Sequence, residues 1–393
     1  MIRKIKIENF YSFKDEVELD FGIPQTATDL DGRFAQSRAI DKERYPKVIA
    51  LFGANASGKT NLLKCLSFLI DFVCNSAHLP LNEPMRARPF GNSQNSPVLT
   101  KIHVELDGRL PGYEHRAVFS YKVHFSLQDK TITFEELKYK RDKSWRGLFS
   151  RNGQEIDAKP DFALPKKDVS RERIRKDASV ISVLALLNHP FASAIFNALK
   201  SIMTNVNIGG KHEFSPSQAT DYYQKNPEVL NSLQLEIGKL DLGIDQIDLV
   251  KTQNGVEPFF THAGLDKPLP FIFESNGTKR FYAQFPTIEY ALRDGGVAIL
   301  DEIDSDIHPM LMPEIIKKFQ SPLSNPYNSQ LIMTCHDAPL LDYLEKEEVV
   351  IVEKDSQGIS DLYRLADIKG IRRDKNLYAN YLAGVYGGVP RVA

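Results

Sequence analysis

The sequence predicts an α/β fold in which a parallel sheet is joined to an antiparallel β subdomain and an inserted helical lobe. Three observations carry that reading. Val48-Ile49-Ala50-Leu51-Phe52, Val297-Ala298-Ile299-Leu300 and Leu331-Ile332-Met333-Thr334 are continuous apolar runs, as expected of strands buried on both faces of a parallel sheet. Gly53 to Thr60 reads G-x-x-x-x-G-K-T, placed between the first of these runs and a segment with Leu62, Leu66, Leu69 and Val73 at helical spacing. The first half otherwise alternates apolar and polar residues, which marks antiparallel strands with one wet face.

Taken in order, Met1-Ile2-Arg3-Lys4-Ile5-Lys6-Ile7 alternates like a strand and lacks a signal-peptide core. Val17, Leu19 and Phe21 alternate with acidic residues. Residues 22–46 are polar and irregular and read as a surface insertion. Ile102, Val104 and Leu106, then Phe119, Tyr121, Val123, Phe125 and Leu127, then Ile132 and Phe134 complete the antiparallel set. Character changes near residue 160. Residues 178–206, with Leu184, Leu186, Leu187, Phe191, Ile195, Phe196 and Leu199, read as mostly helical, as do residues 216–238. No heptad run is long enough for a coiled-coil arm. The expected division is an N-terminal lobe over 1–160, a mainly helical inserted lobe over 161–265 and a C-terminal lobe over 266–393.

Composition narrows the class. With 42% hydrophobic and 26% charged residues the chain has the balance of a folded protein, and no apolar stretch is long and clean enough to span a bilayer. Lys+Arg total 50 against Asp+Glu 51, so no global charge favours a polyanion, although a local basic face is allowed. Lys166, Lys167, Arg171, Arg173, Arg175 and Lys176, diluted by Asp168 and Glu172, are either a solvated helix face or a phosphate-contacting patch. Cys65, Cys74 and Cys335 show no metal-ligand spacing, which suits a reducing, cytoplasmic compartment.

The G-x-x-x-x-G-K-T segment carries a mechanism. Gly53 and Gly58 allow a tight turn, so that the backbone N–H groups of Gly53, Ala54, Asn55, Ala56, Ser57, Gly58, Lys59, Thr60 and Asn61 are available to phosphate oxygens at a helix N-terminus. Lys59 can reach β- and γ-phosphates and the Thr60 hydroxyl can ligate Mg²⁺. Ala298-Ile299-Leu300-Asp301-Glu302 supplies the partner strand. Asp301 is placed to hold Mg²⁺, directly or through water, and Glu302 to polarise the attacking water. His336, in Thr334-Cys335-His336-Asp337, stands at the C-terminal end of another buried strand, where it can meet the γ-phosphate or that water. Ser275 and Gly277, in Glu274-Ser275-Asn276-Gly277-Thr278, precede a helix from Lys279 to about Leu292. Alone they suit an N-cap equally well; their place in the order of motifs is what points to an anion.

With these segments in view, the chain resembles the ABC-type ATPase heads of the structural-maintenance, Rad50 and RecF group. More closely it resembles single-chain AAA-type ABC ATPases of bacterial defence loci, the AbiLi-like and RloA-like proteins related to the ATPase half of OLD nucleases. The carrying segments are Ile7 to Phe13, Gly53 to Asn61, Glu274 to Thr278, Leu300 to Asp304 with His308-Pro309, Thr334 to Asp337, and Tyr381 to Pro390. The resemblance implies a P-loop NTPase of ABC-ATPase head type that binds ATP and Mg²⁺ and hydrolyses ATP slowly. It implies a head-to-tail homodimer with two ATPs at the interface, Ser275 and Gly277 of one subunit capping the γ-phosphate held by Lys59 of the other. Asp304 to Asp306 would lie along that interface and His336 would be the switch histidine. For the Q-loop, Gln94 in a turn-like Asn-Ser-Gln-Asn-Ser stretch and the Pro89-Phe90 neighbourhood are the alternatives, and Val385 stands where such proteins often carry a basic residue.

Val349 to Asp355 could open a Toprim nuclease domain, but that fold needs a second strand bearing Asp-x-Asp, and none occurs in the last 38 residues; the strand reads as the last edge of the C-terminal lobe. Three functions remain. The first is an ATPase switch in prokaryotic antiviral or abortive-infection defence that controls a separate nuclease or toxin. The second is a RecF- or Rad50-like DNA-repair clamp, with nucleic acid as partner. The third is a nucleotide-locked scaffold with negligible turnover. A membrane is not among the expected partners.

Overall fold

The structure is a computed structural model. It describes all residues except 30, 37, 39, 81–84, 93–97, 111–115, 165–173, 213, 240–242, 254, 307–310, 372–375 and 390–393. Gln94, His308-Pro309, Pro390 and the basic cluster from Lys166 to Arg173 therefore lie outside the described residues.

The chain begins with β1 (Ile2–Glu8), β2 (Val17–Asp20), the short strands β3 (Ile23–Pro24), β4 (Phe34–Ala35) and β5 (Glu43–Pro46), then β6 (Val48–Phe52) and α1 (Lys59–Asn75). A meander follows: β7 (Thr100–Arg109), β8 (Arg116–Ser126), β9 (Thr131–Lys140), β10 (Arg146–Asn152) and β11 (Glu155–Ala158). Next come α2 (Val180–Leu186), α3 (Pro190–Lys200), β12 (Ile202–Thr204), the small hairpin β13 (Val206–Asn207) and β14 (Gly210–Lys211), α4 (Pro216–Lys225), α5 (Pro227–Gly238), β15 (Ile244–Thr252), β16 (Gly255–His262) and β17 (Leu269–Pro270). The last third holds α6 (Asn276–Asp294), β18 (Val297–Leu300), the single turn α7 (Ile303–Asp306), α8 (Met312–Gln320), β19 (Gln330–Thr334), β20 (Val349–Lys354), β21 (Ser360–Arg364) and α9 (Leu377–Leu382).

Among the described residues the central sheet runs β12-β18-β19-β6-β20-β21, parallel except for the edge strand β21. Its apolar runs are continuous because both faces are covered. Successive side chains go to opposite layers. Ile49, Leu51, Val297, Ile299, Ile332, Val350 and Val352 face a core shared with α1, α2, α3 and the meander. Val48, Ala50, Phe52, Ala298, Leu300, Leu331, Met333, Val349 and Ile351 face a second core shared with α4, α5, α6 and α8. The seven-stranded antiparallel sheet, β11-β10-β9-β8-β7-β1-β2, closes the first core.

Several expectations are corrected by this packing. Residues 161–265 do not form one lobe: α2 and α3 belong to the first core, α4 and α5 to the second, and β12 pairs with β18. The same span holds the hairpin β15–β16, whose alternation of Ile247 and Leu249 with polar residues is a strand pattern. Residues 22–46 are not merely surface: Ile23, Phe34 and Tyr45 are buried, and Asp41 pairs with Arg3 at 2.7 Å. β20 is not an edge but pairs with β6, and β21 takes the edge.

α6 contains Pro286 in its interior. Proline there removes the hydrogen bond to the carbonyl four residues back. The hydroxyl of buried Tyr223, from α4, donates to that Tyr282 carbonyl at 2.8 Å and replaces what the proline removes. Among the described residues no single helix is long and apolar enough to cross a membrane.

Candidate nucleotide site

The parallel pairing sets the site. Thr334 lies opposite Leu51, and Leu300 opposite Met333, so the segments after β6, β18 and β19 leave the sheet at one edge. Ligands of open α/β sheets bind at such an edge.

The loop from Gly53 to Thr60 is held in shape from behind. Ser360 Oγ on β21 donates to the Ser57 carbonyl at 2.6 Å and lies 2.7 Å from Ser12 Oγ, to which Asn61 Nδ2 also donates at 2.7 Å. Gly58 has φ 119° at the N-cap of α1, and a Cβ there would strike Ser360 Oγ. Only glycine adopts that backbone at so close an approach. Gly387-Gly388 pack against β20, where the Gly388 N–H donates to Glu353 Oε1 at 2.7 Å.

Lys59 is 5% exposed and donates to the carbonyls of Gly53 at 2.8 Å and Ala54 at 3.1 Å. Burial lowers its proton affinity, opposed by Asp301, Asp304 and Glu302. Thr60 Oγ1 donates to Asp301 Oδ2 at 2.9 Å, joining the two expected magnesium ligands although 241 residues separate them. Thr334 Oγ1 donates to Asp301 Oδ1 at 2.6 Å and accepts the Glu302 N–H at 2.6 Å. Glu302 has φ 47°, a left-handed backbone that costs a non-glycine residue of order 1–3 kcal/mol and recurs at functional sites. Its carboxylate lies 3.8 Å from His336 Nε2.

A cavity of about 990 Å³ is lined by Gly53 through Asn61, Glu302, Ser305, Cys335, His336, Lys354, Tyr381, Leu382 and Val389. The structure thus gathers the loop, Glu302 and His336 around one space, with Asp301 beneath. Ser275 and Gly277 do not line it. Ser275 caps α6, its Oγ accepting the Thr278 N–H at 3.1 Å.

Residues that the sequence reading passed over complete the arrangement. Asn205 is buried and grips the Asp301 backbone twice, accepting its N–H at 2.7 Å and donating to its carbonyl at 3.1 Å. Lys211 Nζ donates to the Glu302 carbonyl at 3.1 Å and to Ser305 Oγ at 2.9 Å, and lies 4.0 Å from the Glu302 carboxylate. Asp304 turns into its own chain, where Oδ2 accepts the N–H groups of His336 at 2.6 Å and Asp337 at 2.8 Å. Its side chain thereby ties the segment after β18 to the one after β19. Cys65, Cys74 and Cys335 are all buried and free, and burial pushes the Cys335 thiol up.

The donor set suits a nucleotide with a hard cation. Ser57 Oγ is buried with no hydrogen-bond partner among the described residues, inside a loop of phosphate-binding shape. Thr60 and Asp301 offer oxygen only, the ligand type Mg²⁺ takes. No group of three His, Cys, Asp or Glu side chains among the described residues is placed to hold a metal.

Residues 48–342 match the family described as "AAA domain, putative AbiEii toxin, Type IV TA system", and the chain belongs to that family. No curated protein matches the sequence. Among solved structures, an SmcHead bound to the C-winged helix domain of ScpA is similar at TM-score 0.51 and 15% identity, over 92% of this chain and 97% of that one. An SMC head domain from Thermotoga maritima gives TM-score 0.41 and 13% identity, over 92% and 98%. An Smc head domain with an extended coiled coil, bound to the C-terminal domain of ScpA derived from Pyrococcus furiosus, gives 0.45 and 15%, over 92% and 95%. The fold is that of an ABC-type P-loop ATPase head.

Proposed function

We propose that this chain is a slow ATP-hydrolysing switch that closes head to tail on a second copy around ATP and controls a separate nuclease or toxin in prokaryotic antiviral defence, in the manner of the AbiLi-like and RloA-like ATPases. The observation that carries the ATPase part is the Thr60 hydroxyl on the Asp301 carboxylate, beneath a cavity that also holds Lys59, Glu302 and His336.

Lys59 exchanges the loop carbonyls of Gly53 and Ala54 for phosphate oxygens, a swap between groups of like polarity. Thr60 and Asp301 would hold Mg²⁺, which neutralises charge developing on the phosphates. Glu302 orients the attacking water and accepts its proton. His336, with its N–H held by Asp304, contributes a ring beside that carboxylate.

Closure on a second copy is supported by Ser275 and Gly277, which do not line the cavity of their own chain. Ile272 and Phe273, three and two residues before Ser275, are 72% and 70% exposed. Leu382 and Val385, at and near the rim of the phosphate cavity, are 53% and 64% exposed. Apolar side chains of this size, exposed beside both halves of a split site, suit a mutual contact. The family's description, a putative AbiEii toxin of a type IV TA system, supports a place in a toxin-linked system.

The test is light scattering of Glu302→Gln with Mg-ATP, with Lys59→Ala as the control that binds no nucleotide. The glutamine variant should double in mass and stay so, because ATP is bound and not consumed. A monomer with normal turnover overturns the closure. Affinity purification of the trapped form from its host should then bring down a nuclease or toxin. DNA with no protein partner would favour a repair clamp instead.

A further inference from the structure

We propose that the cavity between the first turns of α6 and the residues Asn205, His212, Phe214 and Pro216 is a second ligand site, for a planar ring bearing an acid group, of the nucleoside monophosphate class. The cavity measures about 270 Å³ and shares no lining residue with the phosphate-loop cavity. Ligand cavities start near roughly 300 Å³, so this one suits a small ligand of mononucleotide size at most rather than a polymer.

Two buried polar atoms in its wall are unspent. Gln284 is 4% exposed, and its Nε2 has no hydrogen-bond partner among the described residues; the same holds for His212 Nδ1. A buried donor left unpaired costs about 1–3 kcal/mol, and a ring carbonyl set against Gln284 would remove that cost. Burial keeps the His212 ring neutral, so Nδ1 can donate or accept according to tautomer.

Phe214 and Phe271 supply apolar walls, with the His212 ring edge-on to Phe214 at 5.7 Å. Lys279 and Arg280 stand in the lining, Lys279 Nζ donating to the Ile272 carbonyl at 2.7 Å and Arg280 Nη1 to the Ser305 carbonyl at 3.3 Å. Asn276, the first residue of the 19-residue α6, adds a helix N-terminus. The ring therefore goes to the glutamine and the acid group to the cations.

Occupancy has a route to the catalytic carboxylates. Asn205 lines this cavity and holds Asp301 on both sides, while Lys211, next to His212, donates to the Glu302 carbonyl. Any such coupling is reciprocal between the two sites. The coupling rests on the proposed roles of Asp301 and Glu302; the binding does not.

The experiment titrates AMP, GMP, CMP and UMP separately into Lys59→Ala protein by calorimetry, so that the phosphate loop does not contribute. At least one should bind saturably, and Gln284→Met in the same background should weaken it by about tenfold or more, the loss of one well-placed polar contact. Should Gln284→Met not fold, Ala283→Met, which fills the cavity from its wall, should do the same. Absence of binding by all four at millimolar concentration, or equal affinity with and without the cavity substitution, overturns the proposal. ATP binding with Lys59 intact should survive Gln284→Met, which separates failure of this site from failure of the ATPase reading.

Discussion

Asn205 shows how much of the candidate site depends on a side chain that does not line the phosphate-loop cavity. Its amide pairs with both backbone groups of Asp301, so the carboxylate that meets Thr60 is set by a residue 96 positions away. Partners behind a metal ligand typically govern affinity or activity by 10- to 100-fold. Asn205→Leu should therefore lower ATP turnover by about that factor and raise the Mg²⁺ concentration needed for half-maximal rate, with a stability cost of about 1–3 kcal/mol from the unpaired Asp301 groups. A melting shift with unchanged Mg²⁺ dependence would make Asn205 purely structural. The left-handed Glu302 belongs to the same scale: its strained backbone is held by Thr334, Lys211 and the turn that follows.

Elements are joined by buried polar groups whose charge state has consequences. Glu348 precedes β20 and is wholly buried, accepting from the Glu345 N–H at 2.8 Å, Gln320 at 2.9 Å and Arg33 at 3.2 Å. Burial outweighs these partners and pushes its carboxyl up to about 7. A carboxyl raised in the folded state holds a proton that the unfolded chain releases. Its contribution is thus complete below the ordinary value of 4.5 and is lost as pH rises through about 7. The swing is about 3 kcal/mol at most. Urea unfolding at pH 5 and pH 8 should show the native chain losing stability across that window and Glu348→Gln losing less; equal slopes would mean that the carboxyl is not strained by burial. α6 shows the same dependence on neighbours, since its proline is tolerable only because Tyr223 from α4 takes the orphaned carbonyl.

At the scale of the molecule, the proposed closure needs Ser275 and Gly277, which do not line the phosphate-loop cavity of their own chain, to meet that cavity on a second copy. The cavity with Lys59 has Leu382 at its rim, while Ser275 follows Ile272 and Phe273. Ile272→Asp with Phe273→Asp, placed in the Glu302→Gln background, should leave ATP affinity of the monomer unchanged and weaken the Mg-ATP dimer by about tenfold or more, since two large apolar contacts exchange for charge. An undiminished dimer would place the contact elsewhere. The domain scheme changes at this scale too. Two cores on opposite faces of one sheet draw helices from the same middle segment, so a division by sequence position does not follow the packing.

The sequence by itself determined which segments local spacing marks as a candidate site. Gly53 to Asn61 needs particular residues at fixed offsets around one turn, and Asp301-Glu302 and His336 need only a buried strand ending in the right side chain. Those patterns are complete within a few residues, so they were legible, as was the parallel sheet behind them. Tertiary structure alone decided which distant groups meet. Asn205 on Asp301, Lys211 on Glu302 and Asp304 on the His336 segment leave no periodic trace, because contacts across tens to a hundred residues are fixed by strand pairing and core packing. Packing also decided that β20 lies inside the sheet, and that Ser275, an N-cap by its local pattern, does not line the phosphate-loop cavity of its own chain.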